Sequence, residues 1–309
     1  MKKIVIGIPI YNEEELLLEL YKRIKNTIDK NLIEKYDVDI LFVNDGSTDK
    51  TTEILKEIAE KDKKVKVINF SRNFGLEAAL SAIIENSYGD ALVIIDGDLQ
   101  DPPELIPELI KKWEEGYDVV YTIKRSRKEF FIKKWLIGLF YKIQHAIADI
   151  TIPIQSGNFS LLDKKVVDIM KRFKEKNKYF PGLRAWVGFN QYGLYYDRDK
   201  RYAGKPKMNF KKLFNLAMDG IFSYTKLPQR LAYIIGTFFI IIGILLFIYV
   251  LYGKLVKGSP IGWASLILTI YIVGGFQLFI IGLLGEYIIR IFDESRNRPD
   301  YIIKDKINI

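Results

Sequence analysis

The stretch "ALVIIDGDLQDPPEL", residues 91–105, sets a short apolar run directly before three aspartates and a glutamine. The apolar run predicts a buried strand, and the two prolines predict that a helix begins there, with Asp101 as its cap. Asp96 and Asp98 offer the oxygen ligands that Mg²⁺ or Mn²⁺ prefers, and Gln100 belongs to the same loop. We therefore predict a metal site at this strand end; a merely solvated acidic turn is the alternative.

This run is one of five that predict strands, because each is short, apolar and followed by a segment with helical spacing. The five runs cover residues 3–8, 38–43, 65–70, 91–95 and 118–123. Strands that alternate with helices predict an α/β fold, a mostly parallel sheet with helices on both of its faces. Sheets of this kind bind ligands beyond the carboxyl ends of their strands.

Polar residues also follow the first and second strands, in "PIYNEE" at 9–14 and "VNDGSTD" at 43–49. We expect these strand ends to lie beside the acidic loop at 96–101 and to share one crevice with it. Asp45 would then face a ribose or a base. The other interpretation of "NDGSTD" is an Asp-Gly turn that caps the next helix.

Composition excludes several kinds of chemistry. The 309 residues contain no cysteine and one histidine, so disulfides, thiol catalysis and histidine-rich metal sites are excluded. No G-x-G-x-x-G, P-loop or nucleophile elbow is present, which disfavours dinucleotide oxidoreductases, P-loop kinases and serine hydrolases. The net charge of +9 suits an anionic partner such as a nucleotide, a nucleic acid or a phospholipid surface.

Two uncharged stretches, residues 231–253 and 258–285, are each long enough to cross a bilayer. They predict two membrane-spanning helices, at about 231–252 and 261–285 within a segment 230–290; two buried helices of a soluble bundle are the alternative. The connection is short, so the spans form a hairpin, and basic residues at its outer ends predict cytoplasmic flanks. The other expected parts are an α/β domain at 1–209, an interface helix at 210–229 and a cytoplasmic tail at 291–309.

Seven motifs in order carry a family resemblance: "IPIYNEE", "VNDGSTDKT", "SRNFGLEAAL", "DGDLQDPPELI", "GNFSLLDKKVVD", "GLRAWVGF" and "GLLGEYIIRIFDESRNRPDYII". Together they resemble the family 2 glycosyltransferases that act on polyprenyl phosphates. Within that family, the bactoprenol glucosyltransferases are the most similar subgroup, and dolichyl-phosphate mannose synthases are related to them. The resemblance extends over nearly the whole chain.

The resemblance implies a GT-A fold and the transfer of a hexose from UDP-glucose to a polyprenyl phosphate in the cytoplasmic leaflet of the cell membrane. It further implies a divalent cation, a homotetramer, a lipid partner and no nucleic acid partner. Nucleotide binding would fall to Pro9, Tyr11, Asn12, Glu13 and Asp45. Metal and diphosphate would be held by Asp96, Asp98 and Gln100, with Asp98 also catalytic. Phosphates would be held by the basic residues Arg125, Arg201 and Lys207.

Two positions depart from the subgroup. Many relatives have an aspartate where this chain has Asn158, and an amide cannot accept a proton as a carboxylate can. We therefore expect Asn158 to contact the site, and the acceptor phosphate to attack without a dedicated protein base. Gly97 replaces the commoner alanine, and we expect either residue to fit. The segment 176–189 is either a plain amphipathic helix or places Arg184 at the mouth of the site.

Other functions remain open from the residues alone. A mannose synthase would share every motif, because hexoses differ by single hydroxyl groups. A processive polysaccharide synthase would share the sheet, although its Q-x-x-R-W motif is absent. A non-catalytic membrane scaffold that binds a nucleotide sugar would not need Asp96, Asp98 and Gln100 intact.

Overall fold

The computed structural model describes residues 1–125, 156–173, 175, 178–197, 227–257 and 263–309. These residues form two compact units. One contains the described residues up to 197 together with 298–309, and the other contains those between 227 and 297.

The first unit is an α/β unit built on one eight-stranded sheet. Its strands are β1 (Lys2–Ile10), β2 (Tyr36–Asn44), β3 (Val65–Phe70), β4 (Ala91–Ile94), β5 (Val119–Lys124), β6 (Ser156–Asp163), β7 (Gln191–Tyr196) and β8 (Ile303–Ile307). Its helices are α1 (Leu17–Asn31), α2 (Thr51–Lys61), α3 (Leu76–Asn86), α4 (Ile106–Glu114), α5 (Lys164–Met170) and α6 (Phe180–Trp186). All five strands predicted from the apolar runs are confirmed.

The strand order is β7-β5-β6-β4-β1-β2-β3-β8. The central strands β4, β1, β2 and β3 run parallel, whereas β6 runs antiparallel to both of its neighbours and β8 runs antiparallel to β3. The predicted parallel arrangement is therefore confirmed for the centre of a mixed sheet. From Ile4 to Ile10 every residue of β1 is buried, as expected for a strand covered on both faces.

The register of the central strands aligns their carboxyl ends. Ile10 of β1 pairs with Asn44 of β2, and Gly7 of β1 pairs with Ile94 of β4. The loops that follow these three strands therefore leave the sheet at one edge. This confirms the predicted convergence of the polar strand ends.

The eighth strand comes from the C-terminal segment, for which the sequence predicted only a tail. In β8, Asp305 pairs with Asn69 and Ile307 with Val67, so the strand covers the free edge of β3. Tyr301 precedes it and stacks on Phe70, with ring centroids 4.8 Å apart. The chain thus returns to the sheet after the second unit, and the edge of β3 is paired with β8 rather than open.

The second unit contains the helices α7 (Leu227–Lys257) and α8 (Trp263–Ser295). In the described part of the chain, residues 272–295 of α8 are long and apolar enough to cross a membrane, and α7 contains a shorter apolar stretch at 234–249. The two-span hairpin stays a prediction. The predicted interface helix at 210–229 lies mostly outside the described residues.

One glycine in the loop after β2 has no room for a side chain. Gly46 has a φ of +65°, and a Cβ there would lie 2.2 Å from the carbonyl carbon of Arg72 and 2.6 Å from its oxygen. Both atoms belong to the backbone, so they cannot rotate away. The loop at 45–49 is therefore packed directly against the segment that follows β3.

We expect Gly46→Ala to destabilise the protein more than Gly116→Ala, which is the matched control. Gly116 also has a positive φ, +99°, but a Cβ at this position would have no other atom within 4 Å. Gly116→Ala should cost only the backbone strain of a positive φ, roughly 1–2 kcal/mol. Gly46→Ala should cost the same strain and, in addition, the clash of its Cβ with the Arg72 backbone. Thermal unfolding of the purified variants in detergent measures the difference, and equal midpoints would contradict the packing described.

Candidate active site

The acidic loop after β4 is tightly wound. Leu99 adopts a left-handed conformation with φ +55° although its side chain is almost fully buried. The Gln100 N–H donates to Oδ1 of Asp98 over 3.1 Å. Left-handed backbone is unfavourable for leucine, so the surrounding packing must hold this turn. This one short loop carries three carboxylates, those of Asp96, Asp98 and Asp101.

Asp96 has a raised pKa. Burial, together with the charges of Asp101 and Asp98, raises the pKa of Asp96 to about 6. Two groups oppose the rise: Asn158, whose Nδ2 donates to Oδ1 of Asp96 over 3.1 Å, and the ammonium of Lys124. Asn158 therefore lies beside the acidic loop, where it contacts Asp96, and its contact with a ligand stays a prediction.

Asp101 does not cap the following helix, so that prediction was wrong. Its Oδ1 accepts a hydrogen bond from the Tyr196 hydroxyl, on the last residue of β7. The helix itself begins as predicted after the prolines, as a short 3₁₀ turn at Pro103–Leu105 that leads into α4. Burial explains the difference, because a fully buried carboxylate requires a hydrogen-bond donor and the tyrosine supplies one.

Gly97 is also more constrained than expected. A Cβ at this position would lie 2.4 Å from Cδ1 of Ile10 and 2.9 Å from the carbonyl oxygen of Pro9. The isoleucine methyl can rotate away but the carbonyl cannot. Alanine therefore does not fit here without a shift, and Pro9 contributes to the site through its backbone, as a wall beneath the acidic loop.

The loops after β1 and β2 are joined by hydrogen bonds. The Asn12 N–H donates to Oγ of Ser47 over 2.9 Å, and the Thr48 N–H donates to Oδ1 of Asn12 over 2.8 Å. The Glu13 N–H donates to Oγ1 of Thr51, at the start of α2, over 3.0 Å. Asn12 takes a left-handed φ of +50°, which asparagine tolerates better than most residues. The two predicted nucleotide-binding segments therefore form one surface. Tyr11 lies in the first of them, directly after β1.

Asp45 is occupied with backbone contacts. Its carboxylate accepts hydrogen bonds from the N–H groups of Phe74 and Gly75, at 2.6 and 2.9 Å, and from the Asn73 side chain at 2.9 Å. Burial raises the pKa of Asp45, whereas the hydrogen bonds from Phe74 and Gly75 and the charge of Arg72 oppose the rise. The structure thus gives Asp45 a clear role in holding the loop before α3. Its contact with a nucleotide stays a prediction.

The three predicted phosphate-binding residues have different outcomes. Arg125 lies at the end of β5, is exposed, and pairs with Asp197 at 3.4 Å. Within the described part of the chain, no hydrogen bond or ion pair joins Arg125 to the acidic loop. Arg201 and Lys207 lie outside the described residues. Nearer to the acids is Lys124, whose Nζ lies beside Gly157.

Arg184 is buried rather than exposed at a mouth, with 1% of its surface accessible. Its Nη1 donates to the Gly157 carbonyl oxygen over 2.8 Å, and its guanidinium lies 5.0 Å from the centre of the Tyr121 ring. Burial lowers its pKa to about 10. The arginine therefore supports, from behind, the backbone that carries Asn158.

Glu77 lies in the motif "SRNFGLEAAL" at 71–80, but the sequence did not predict it as a site residue. Glu77 lies in the first turn of α3, and its Oε2 accepts a hydrogen bond of 3.3 Å from the Phe180 N–H. Burial, with a contribution from the charge of Asp96, raises the pKa of Glu77 to about 7, although the Phe180 hydrogen bond and Lys178 oppose the rise. An acid inside "FGLEAAL", at an otherwise apolar helix start, was the available signal.

The chemistry of the donor set fits a divalent cation. In the described part of the chain, no group of three or more histidine, cysteine, aspartate or glutamate side chains is arranged to hold a metal. Asp96 and Asp98 nevertheless supply hard oxygen ligands. Burial and the charges of Asp101 and Asp98 raise the pKa of Asp96, and a cation would relieve the part that comes from these charges. Gln100 could add an amide oxygen to such a set.

The mixed α/β sheet, with acids at the end of a central strand, is GT-A-like, as the resemblance implied. The chain belongs to glycosyl transferase family 2, whose family profile matches residues 5–170, more than half of its length.

Its similar proteins include curated relatives that align over nearly the full chain. An uncharacterised glycosyltransferase of Bacillus subtilis is 47% identical over 306 residues, 98% of this chain and 94% of that protein. A bactoprenol glucosyl transferase of Shigella phage SfV is 40% identical over 306 residues, 98% of this chain and 99% of that protein. Among solved structures, mannosyl-3-phosphoglycerate synthase from Rubrobacter xylanophilus is 16% identical, with a TM-score of 0.45 over 71% of each chain. A likeness that distant says nothing about activity.

We expect Glu77→Gln to flatten the dependence of stability on pH. Glu77 titrates near pH 4.5 when unfolded and near 7 when folded, so the folded protein binds more protons between these values. Its contribution to stability is therefore present below pH 4.5 and is lost as the pH rises through 7. Glutamine cannot ionise, yet it can still accept the Phe180 hydrogen bond.

Thermal unfolding at pH 5 and pH 8, without added divalent cations, tests this expectation. Glu77→Gln should gain stability relative to the unmodified protein at pH 8 by more than at pH 5. The matched control is Glu60→Gln, at an exposed position of α2. A Glu77→Gln curve parallel to that of the unmodified protein would show that this carboxyl is not perturbed.

Proposed function

We propose that this protein transfers glucose from UDP-glucose to a polyprenyl phosphate, with inversion at the anomeric carbon. The observation that carries this proposal is the 40% identity, over 98% of the chain, to proteins named bactoprenol glucosyl transferase. The aligned carboxyl ends of β1, β2 and β4 support it, because parallel sheets bind their ligands beyond these strand ends.

The acidic loop is assigned to the donor diphosphate. We propose that Asp96, Asp98 and Gln100 hold Mg²⁺ or Mn²⁺. When bound, the cation would neutralise charge on the departing nucleoside diphosphate. Asn158 keeps one oxygen of Asp96 hydrogen-bonded, and Lys124 adds positive charge. Both contacts favour the ionised form of Asp96, which is the form that can bind a cation.

The acceptor is assigned to the basic residues and needs no protein base. A phosphate monoester is already an anion at neutral pH, so its oxygen can attack without first losing a proton to the protein. Asn158 agrees with this, because its amide donates to Asp96 and cannot take up a proton. Arg125, Arg201 and Lys207 are proposed to hold phosphate groups of the donor and the acceptor.

The nucleotide half of the donor is assigned to the joined loops after β1 and β2. Pro9, Tyr11, Asn12 and Glu13 form one side of this surface, and Asp45 fixes the loop that borders it. The hydrogen bonds between Asn12, Ser47 and Thr48 support the assignment, because they give the surface a fixed shape before any ligand binds.

The proposed membrane topology is based on the position of β8. The chain leaves the sheet after β7 and returns to the same sheet as β8, so both segments must lie on one side of a membrane. The number of membrane crossings between β7 and β8 must therefore be even. Because residues 272–295 suffice for one crossing, we propose that α7 makes the other, and that basic flanks keep the sheet in the cytoplasm. A homotetramer, as the resemblance implies, would pack these hairpins together.

The proposed activity predicts a labelled lipid. Membranes that contain this protein, supplied with radiolabelled UDP-glucose, polyprenyl phosphate and Mg²⁺, should yield a chloroform-soluble labelled product. Asp98→Ala should reduce that product by at least about 100-fold, because a charge-neutralising interaction is removed from the transition state. The matched control is Asp168→Ala, an exposed acid of α5 whose loss should leave the rate unchanged.

Two further arms make the assay decisive. GDP-mannose replaces UDP-glucose in one arm, and labelled lipid from it alone would favour a mannose synthase. In the other arm, Asn158→Asp is compared with the unmodified protein. A many-fold faster reaction that rises with pH would show that a carboxylate base is needed at this position, contrary to the proposal. Activity retained by Asp98→Ala would remove the metal assignment.

The proposed hairpin predicts where single cysteines can be labelled. The chain has no cysteine, so one can be introduced at Ser259 in the predicted connection, at Glu60 on α2, or at Lys304 on β8. In intact cells a membrane-impermeant maleimide should label Ser259→Cys alone. The other two should react only after permeabilisation. Labelling of Ser259→Cys and Lys304→Cys under the same conditions would contradict two crossings.

A further inference from the structure

Four hydrogen bonds, each accepted by a side chain, connect β8 to the loop after β1. Asn69 donates from Nδ2 to Oδ1 of Asp305 over 2.6 Å, and accepts at Oδ1 from Nδ2 of Asn44 over 2.9 Å. Asn44 accepts at Oδ1 from the Ser47 N–H over 3.1 Å, and Ser47 accepts at Oγ from the Asn12 N–H over 2.9 Å. We call these five residues the polar line.

The chemistry of its two ends fixes the direction of the polar line. An ionised carboxylate only accepts hydrogen bonds, so Asn69 must turn its NH₂ group towards Asp305. Its oxygen then faces Asn44, which must turn its own NH₂ group towards Asn69. At the other end the Ser47 N–H can only donate, and it meets the oxygen that Asn44 has left. Both ends therefore require the same orientation of both amides.

Burial makes this orientation matter. Asn44 is 1% exposed and Asn69 is 4% exposed, so neither amide can exchange a lost partner freely for water. A second bond from Nδ2 of Asn44 to Oγ1 of Thr52, at 2.8 Å, fastens the line to α2. A buried amide turned the wrong way would set donor against donor, which costs more than losing one hydrogen bond.

We propose that Asp305 is a positioning residue for the nucleotide half of the donor site. By accepting from Asn69 it holds both buried amides in the orientation that fixes the Ser47 and Asn12 backbone. This inference rests on the proposed function for the identity of the ligand, a uridine nucleotide. It assigns to the C-terminal strand a share in donor binding, although Asp305 contacts no ligand itself.

The test inverts the chemistry at position 305 and leaves the strand in place. Asp305→Asn can still accept through its amide oxygen and should behave like the unmodified protein. Asp305→Lys presents only donors, so it opposes the orientation required by Ser47. Lys306→Ala is the matched control, because it removes the neighbouring β8 side chain, which contacts Asn86 and not the polar line.

Hydrogen exchange at single amides gives a readout that needs no ligand. In Asp305→Lys, the Ser47 and Thr48 amides should exchange roughly tenfold faster, whereas Asp305→Asn and Lys306→Ala should leave them unchanged. The Lys165 amide, which is bound to Asp163 away from the polar line, serves as the internal reference. The Ser71 amide, bound to the Ile302 carbonyl, reports whether the C-terminal segment stays docked.

Binding of UDP in the presence of Mn²⁺, measured by calorimetry, gives the second readout. Affinity should fall roughly three- to tenfold in Asp305→Lys and stay within twofold in Asp305→Asn. The inference is overturned if Ser47 and Thr48 exchange normally in Asp305→Lys, or if Asp305→Asn loses as much as Asp305→Lys. If the unmodified protein fails to bind UDP, the proposed function fails and the donor-binding role falls with it. If it binds and Asp305→Lys binds equally well, only this inference falls.

Discussion

The pairing of β1 with both β2 and β4 is the constraint on which the rest of the structure depends. One strand, buried along most of its length, sets the register of two parallel neighbours, and so decides that three loops leave the sheet together. The acids of one loop and the polar side chains of the other two therefore lie at one edge of the sheet although they are distant in sequence. The chemistry of the site is therefore a property of the sheet before it is a property of any single motif.

The site concentrates like charge, and the surrounding contacts show how the fold tolerates it. Asp96 lies partly buried near Asp98 and Asp101, and its ionised form is favoured by an amide from β6 and a lysine from β5. Glu77 adds a further acid from α3. Such crowding costs stability in the free protein, and a bound cation would recover it. The arrangement is thus suited to a ligand that brings its own positive charge.

How much of this the sequence predicts depends on whether a feature is local. The central strands were predictable because a strand buried on both faces is an uninterrupted apolar run, as at 91–95. The strand β8 was not, since three of its five residues are charged and only its pairing with β3 makes it a strand. The acids of the loop at 96–101 were found by their spacing. The partner of Asp101 was not, because Tyr196 is 95 residues away.

The position of β8 after both long helices also orders events during synthesis. The ribosome delivers the central strands first, and they can begin to pair while α7 and α8 are still to be made. Residues 303–307 follow both long helices in the chain, so the edge of β3 stays open until those helices have been synthesised. An unpaired edge is a site for misassembly. The sheet of this protein can therefore be completed only after both apolar helices have been synthesised.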